Sequence, residues 1–410
     1  MDILIIHGNY PAQFRHLCAG FAANPRNNVV FLTGRVDATK EPIPGVDIAT
    51  FQTHRAVHPH THTYLQATEE AVLQGQAVIR SIDQLLQGGF EPRLVLFHAG
   101  NGLGLFLRDI LPQAVTVGYF EWWFQPETTQ HLVETFDINM QLQSGLRNLP
   151  VLQELNRCHS GVTPTQWQKK QFPEEYQDKL NVIFDGIDSS FFHPAIDDVD
   201  QQTLSIKNRD SGELFEFTAN QTILSYATRG MEPLRGFPEF MRALPEAFAA
   251  IPNLQVVIAG ADRCAYSYPA PSHQGSWKNH LLAELEGKIP REKIHFTGLL
   301  NYPDYRALLW RSDLHCYFTF PYVTSWSLFE ASACGARLLA NRNQATEGIA
   351  AADSVHWIDL DQADHIGAAI VEQLEQPRTE RTRSRLLPGF DLKGCLEQWQ
   401  SLLNRLLQSN

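Results

Sequence analysis

Six cysteines are scattered through the 410 residues (Cys18, Cys158, Cys264, Cys316, Cys334 and Cys395), and no two form a CxxC pair. That absence removes the ligand spacing of a zinc site and offers no disulfide frame, so buried thiols in a reducing compartment are expected. No apolar run comes near the roughly 20 residues that cross a bilayer. The start, "MDILIIHGNYP", has an acid at its second position and too short an apolar run for a signal peptide or an anchor. Charged residues make up only 19% and the formal net charge is -12. A general electrostatic hold on nucleic acid or anionic lipid is thereby excluded, leaving room only for a local basic patch. Internal repeats and low-complexity tracts are also missing. So is the G-x-G-x-x-G of a dinucleotide site: "HGNYP" (7–11) stands after the first strand instead, and NAD binding is not expected. These absences leave a soluble cytoplasmic protein with no cofactor and no metal.

What is present is alternation. "DILII" (2–6), "NVVFLT" (28–33), "RLVLFH" (93–98) and "AVTVGYF" (114–120) read as buried parallel strands. Helical stretches at about 12–24, 63–87 and 102–110 lie between them, and "SGVTP" (160–164) and "NVIFDGID" (181–188) add two short strands. The stretch 191–220 is rich in Asp, Gln, Asn and Ser, lacks apolar periodicity and reads as a linker that includes the entry to a second domain. Alternation restarts with "TILSYAT" (222–228), "LQVVIAG" (254–260), "KIHFTG" (293–298), "DLHCYFTF" (313–320), "ARLLAN" (336–341) and "SVHWIDL" (354–360). Two βα arrays in one 410-residue chain predict two Rossmann-like, doubly wound α/β domains, over 1–190 and 221–390. The last segment, 391–410, predicts an amphipathic helix that packs back on the first domain.

The second array opens with "YATRGMEPLRGFPEF". It sets Arg229 at a strand's carboxyl end and Arg235 at the entrance to a helix. Two guanidiniums so placed, with the helix's N–H groups and positive dipole end, suit a diphosphate; the bland alternative is a surface ion pair with Glu232 or Glu239. In "FPYVTSWSLFEASACGA" (320–336) a helix is expected from about Ser327, capped by Ser325 or Ser327, with Glu330 in its first turn. That carboxylate can accept hydrogen bonds from both hydroxyls of a ribose or can simply be an acid favoured by the helix dipole. The run "THRAVHPHTHTY" holds His54, His58, His60 and His62 but no interleaved acid or cysteine, so a solvated loop is favoured over zinc.

In order and spacing, these landmarks resemble a GT-B glycosyltransferase of the large retaining family 4, in a branch associated with bacterial exopolysaccharide genes. The resemblance rests on "YPAQFRHL" after the first strand, "VIFDGIDSSFFHP", the Arg229/Arg235 pair, "SWSLFEASACGARLLA" and "NQATEGI" with Glu347. It implies two Rossmann-like domains facing each other across a cleft, with a C-terminal helix crossing back. It also implies metal-independent transfer of a sugar from a nucleotide-diphosphate donor (UDP-, GDP- or similar) to an acceptor hydroxyl, with retention of configuration. Arg229 and Arg235 would bind the diphosphate and stabilise its developing charge. Glu330 would take the ribose, and Ser325, Trp326 and Ser327 the distal phosphate and sugar.

The sequence departs from the family at two positions. The first acid of the family's E-x7-E pattern falls on Tyr322, so the nucleotide grip looks complete while the sugar end is changed. A catalytic-site histidine falls on Glu121, in "GYFEWWFQP". There a carboxylate among Phe120, Trp122, Trp123 and Phe124 is expected to be desolvated and to orient an acceptor hydroxyl, unless the segment is an ordinary aromatic core with one paired acid. His98, Trp122 and Trp123 are the further acceptor-side candidates. Two rivals stay open. An epimerase or phosphorylase on the same scaffold would turn over without an acceptor or depend on phosphate. A silent nucleotide-sugar-binding partner would bind without turnover.

Overall fold

The computed structural model describes all residues except 197–201, 351–353, 363–364, 378–382 and 410. It divides into two compact units. One comprises Met1–Thr129, Phe136–Gly186 and Leu392–Asn410; the other comprises Gln130–Thr135 and Ile187–Asp391.

The first unit is built on seven strands: β1 (Asp2–His7), β2 (Asn28–Thr33), β3 (Val46–Thr50), β4 (Leu94–His98), β5 (Val115–Tyr119), β6 (Ser160–Thr163) and β7 (Leu180–Val182). They pair in the order β3-β2-β1-β4-β5-β6-β7, every pair parallel. Helices cover both faces of such a sheet, so its strands read as unbroken apolar runs; Ile3, Leu4, Ile5 and Ile6 are all fully buried. The C-terminal helix Leu392–Gln408 belongs to this unit, burying Cys395, Trp399, Leu402 and Leu403. Gly186, at φ +88°, lets it come close: a Cβ there would stand 2.8 Å from the Cα of Leu392.

In the second unit the strands are β10 (Thr222–Gly230), β11 (Leu254–Ala261), β12 (Ile294–Gly298), β13 (Leu314–Tyr317), β14 (Leu338–Asn341) and β15 (Val355–Ile358), preceded by a small pair, β8 (Leu204–Lys207) and β9 (Leu214–Phe217). The large sheet runs β12-β11-β10-β13-β14-β15, all parallel.

The structure adds to or corrects the expected elements in three places. The stretch 191–220, expected as linker and domain entry, contains the antiparallel pair β8–β9, whose Ile206 and Phe217 are buried against the second unit's core; a strand pair with one face covered shows only every second residue to the core, a weak signal over four residues. The helix expected over 102–110 is the single turn Leu107–Ile110, because Gly102 has φ +82° and lies where a Cβ would strike the backbone of Ala71. Strand β3 carries little apolar signal, since only Val46 of its five residues is buried.

Candidate functional site

Both units expose a set of polar groups at the carboxyl ends of their parallel strands, where doubly wound sheets hold ligands. In the second unit, β10 ends at Arg229 and Gly230, and a single 3-10 turn, Pro233–Arg235, leads into the helix Phe237–Ala250. The junction requires glycine: Gly236 has φ +64°, and a Cβ there would lie 2.5 Å from the Cβ of Phe318. Arg235 is thus delivered to the helix start and is 7% exposed. Its Nη1 donates to Thr319 Oγ1 at 2.8 Å and to the Val323 carbonyl at 3.1 Å. Arg229 is exposed and donates from Nη1 to the Tyr266 hydroxyl at 3.2 Å.

Among the described residues neither arginine is in a salt bridge. The alternative of ion pairs with Glu232 or Glu239 therefore does not hold. Glu232 is fully buried and uses Oε2 to accept three successive backbone N–H groups, from Ala265, Tyr266 and Ser267, at 2.8, 2.8 and 2.9 Å. It pins the segment that follows β11. Burial pushes the Glu239 carboxyl up from its ordinary range.

The segment after β13 is held from the neighbouring strand β14. Asn341 accepts from the Thr319 N–H at 2.9 Å and donates back to its carbonyl at 2.8 Å, while Asn343 donates to the same carbonyl at 2.7 Å. The helix Trp326–Ala333 follows, with Ser325 as its N-cap; the Ser325 and Ser327 hydroxyls lie 3.0 Å apart. Glu330 is the fifth residue of this helix, and the first turn contains no acid. The expected first-turn placement is corrected, and the helix-dipole role falls with it, since that field fades beyond the first turn. Glu330 is 6% exposed, and burial alone pushes its carboxyl up to about 8. Tyr322, where the resemblance expects an acid, has its ring 5.7 Å from that of Tyr266. Trp326 is half-buried. His131, from the 130–135 segment, stacks on Phe320 at 5.1 Å.

In the first unit, three adjacent strands end on His7 (β1), His98 (β4) and, two residues past β5, Glu121. The His7 and His98 rings are 4.4 Å apart, and His98 Nε2 lies 3.6 Å from Glu121 Oε2. Gln13 donates from Nε2 to Glu121 Oε1 at 3.1 Å. The aromatic surround expected for Glu121 is corrected. Burial alternates along the segment, so Phe120 and Trp122 turn into the core, where Trp122 packs 6.3 Å from Trp167, while Glu121 turns to imidazole and amide. Trp123 is half-buried against Phe172, at 5.6 Å. Behind His98, buried Glu154 accepts from the N–H groups of Gly100 and Gly104 at 2.6 and 2.8 Å, and burial pushes its carboxyl up to about 7. A groove of about 680 Å³, lined by Gly8, Gly34, Glu70, Gln74, Gly100 and Arg147 among others, opens at the same edge of the sheet.

His7 and Gln13 were passed over as site residues in the sequence, because His98 and Glu121, the groups they meet, lie about a hundred positions away. His54, His58, His60 and His62 lie on a largely exposed loop, and among the described residues no group of three or more ligating side chains gathers anywhere. All six cysteines are free and none is fully exposed.

Comparison with known proteins places these features in context. Residues 25–192 match the family model described as the glycosyl transferase family 4 group. Sucrose-phosphate synthase from Thermosynechococcus elongatus superposes with a TM-score of 0.74 at 14% identity, covering 100% of both chains. The Anabaena protein Alr3699/HepE, solved in complex with UDP and glucose, gives 0.65 at 14%, covering 98% of this chain and 99% of that one. The catalytic domain of starch synthase IV from Arabidopsis thaliana, bound to ADP and acarbose, gives 0.62 at 12%, covering 99% of each. No curated protein matches the sequence. The two parallel sheets in their Rossmann-like units are the GT-B fold.

Proposed function

We propose that the protein is a glycosyltransferase that moves a sugar from a nucleotide-diphosphate donor to an acceptor hydroxyl, with retention of configuration and without a metal. The observation that carries this reading is the buried Arg235 guanidinium, whose partners among the described residues, Thr319, Val323 and the Tyr266 ring, are all neutral. A buried cation without a counter-charge is costly, and an anionic ligand relieves that cost. Arg229 and the N-terminus of the helix Trp326–Ala333 add donors, and Glu330 supplies an acceptor for ribose hydroxyls. Fixed donors aimed at a leaving diphosphate stabilise charge as it develops in the transition state. On the first unit, Glu121, His98 and the half-buried Trp123 are assigned to the acceptor. The matched family model and the UDP- and ADP-bound neighbours support the same class of donor. A role in glycan or glycoconjugate synthesis, in the cytoplasm, belongs to this proposal.

The test is a panel of UDP-, GDP-, ADP- and dTDP-sugars, read by calorimetry and by release of nucleotide. At least one donor should bind and be turned over. Binding without turnover, across a wide set of acceptors, would return the protein to a silent nucleotide-sugar partner; product formed without any acceptor would make it an epimerase.

A further inference from the structure

The hydrogen bonds around His7 have a definite direction. The Asn9 backbone N–H donates to His7 Nδ1 at 2.8 Å, so that nitrogen is an acceptor and carries no proton. The neutral ring must then hold its proton on Nε2, which faces Gln13 Oε1 at 3.0 Å. With its carbonyl oxygen engaged by that proton, the Gln13 amide presents its NH2 to Glu121 Oε1 at 3.1 Å. A glutamine turned the other way would set its carbonyl against the carboxylate and its NH2 against an N–H, so the amide has one workable orientation. Burial and the neighbouring His98 hold His7 well below its ordinary titration range, which keeps the ring neutral. Beyond the carboxylate lies His98, 9% exposed, with neither ring nitrogen in a hydrogen bond. Such a group, nine-tenths buried, is expensive unless a ligand completes it.

From this geometry we infer that His7 and Gln13 are positioning residues, which orient Glu121 as a proton acceptor toward His98 and so create a site for one ligand hydroxyl. The hydroxyl donates its one proton to Glu121 and accepts from a ring N–H of His98. This rests on the transferase reading, in which that hydroxyl is the acceptor nucleophile, but the chain of bonds is a property of the protein alone. The titratable groups facing the pair are His7 from β1, Tyr119 and its partner Asp185, and Glu154 behind His98.

The full chain labelled with ¹⁵N-histidine and ¹⁵N-glutamine tests the bonds, and kinetics with the donor that turns over fastest tests the task. Two-bond ¹H–¹⁵N spectra should show His7 as the neutral Nε2–H tautomer from pH 5.5 to 8.5, with a protected ring proton that is lost in Gln13→Leu. The protected Gln13 NH2 signal should be lost in Glu121→Ala. In turnover, His7→Leu and Gln13→Leu should lower kcat by about ten- to a hundredfold, the loss of one charge-assisted hydrogen bond. The donor KM should stay within about twofold, because the donor groups lie on the other unit. His7→Gln, which can place an N–H where Nε2–H stood, should restore most of the rate, which a simple folding defect would not. A charged or Nδ1–H His7 overturns the chain. Normal kcat in Gln13→Leu overturns the positioning role while leaving the transferase intact. A parent protein that turns over no donor removes the proposed activity, and the task assigned to these two residues with it.

Discussion

The guanidinium carbon of Arg235 lies 5.5 Å from the centre of the Tyr266 ring, and the hydroxyl of that same tyrosine accepts the hydrogen bond from Arg229. One side chain therefore braces both arginines. Its backbone N–H is the middle one of the three that converge on Glu232. A buried carboxylate sets the tyrosine, and the tyrosine sets two cations that have no counter-charge of their own.

Two substitutions separate the halves of this brace. Tyr266→Phe keeps the ring near Arg235 and loses only the hydroxyl. It should cost about 1 kcal/mol in nucleoside diphosphate binding, or roughly fivefold. Tyr266→Ala removes both contacts and should cost about tenfold or more, the cation–π share being roughly 0.5–1 kcal/mol. Glu232→Gln should speed amide exchange at Ala265, Tyr266 and Ser267. Equal affinities in all three variants would show that the arginines need no brace.

Glu330 should make the proposed nucleotide site sensitive to pH. Its folded carboxyl ionises near 8 against an ordinary 4.5. Between those values the folded chain keeps a proton that the unfolded chain has lost, so this group's effect on stability grows more unfavourable as pH rises and is complete above about 8. Glu330→Gln should accordingly melt higher than the parent at pH 8.5, with the difference shrinking toward pH 5. Binding works in the opposite sense. A ribose diol offers two donors, which the ionised carboxylate accepts more strongly than the protonated one, since the latter spends one oxygen on its own proton. Nucleotide binding at pH 7 should then release a proton, visible by calorimetry in buffers of different ionisation enthalpy. Glu330→Gln should abolish that release, and a parent protein that releases none would remove the ribose role.

Metal dependence bears on the same charges. If Arg229, Arg235 and a helix N-terminus neutralise the diphosphate, as proposed, turnover should persist in EDTA. Activity lost to chelator and restored by Mg²⁺ would mean that a cation, not the arginines, carries the phosphate charge.

Legibility in the sequence followed the physics of each feature. Strands covered on both faces, such as β1 and β2, print their boundaries as apolar runs, and the arginine pair could be placed because a strand, a turn and a helix start lie within fifteen residues. Strand β3 and the β8–β9 pair were silent because only one face, or part of one, is buried. The position of Glu330 was misjudged by one residue, enough to move it out of the first turn: the helix begins at Trp326, not Ser327, and the N-cap is Ser325. The surroundings of Glu121 were misread for a different reason. Its sequence neighbours are aromatic, but its spatial neighbours are Gln13, from the turn that follows β1, and His98, at the end of β4, and adjacency across a parallel sheet leaves no local trace.

The arginines remain the sharpest test of the donor site. Each charge-assisted bond to phosphate is worth roughly 1.5–3 kcal/mol, so Arg229→Ala or Arg235→Ala should weaken nucleoside diphosphate binding by about ten- to a hundredfold. Losses should extend to kcat, since charge on the leaving group grows in the transition state and uniform binding does not accelerate chemistry. The two sites should differ in their tolerance of lysine. Arg235 is enclosed and uses Nη1 for both Thr319 and Val323, so Arg235→Lys can keep one of those bonds and the charge. Arg229 is exposed and reaches Tyr266 from one fork of its guanidinium, leaving the other to the ligand, so Arg229→Lys should lose more if both forks are used. Free nucleoside, which lacks phosphate, should bind parent and variants alike. Calorimetry on nucleoside and nucleoside diphosphate side by side therefore discriminates: equal loss for both ligands marks a damaged fold, and no loss for either leaves the buried guanidinium without an anion to answer it.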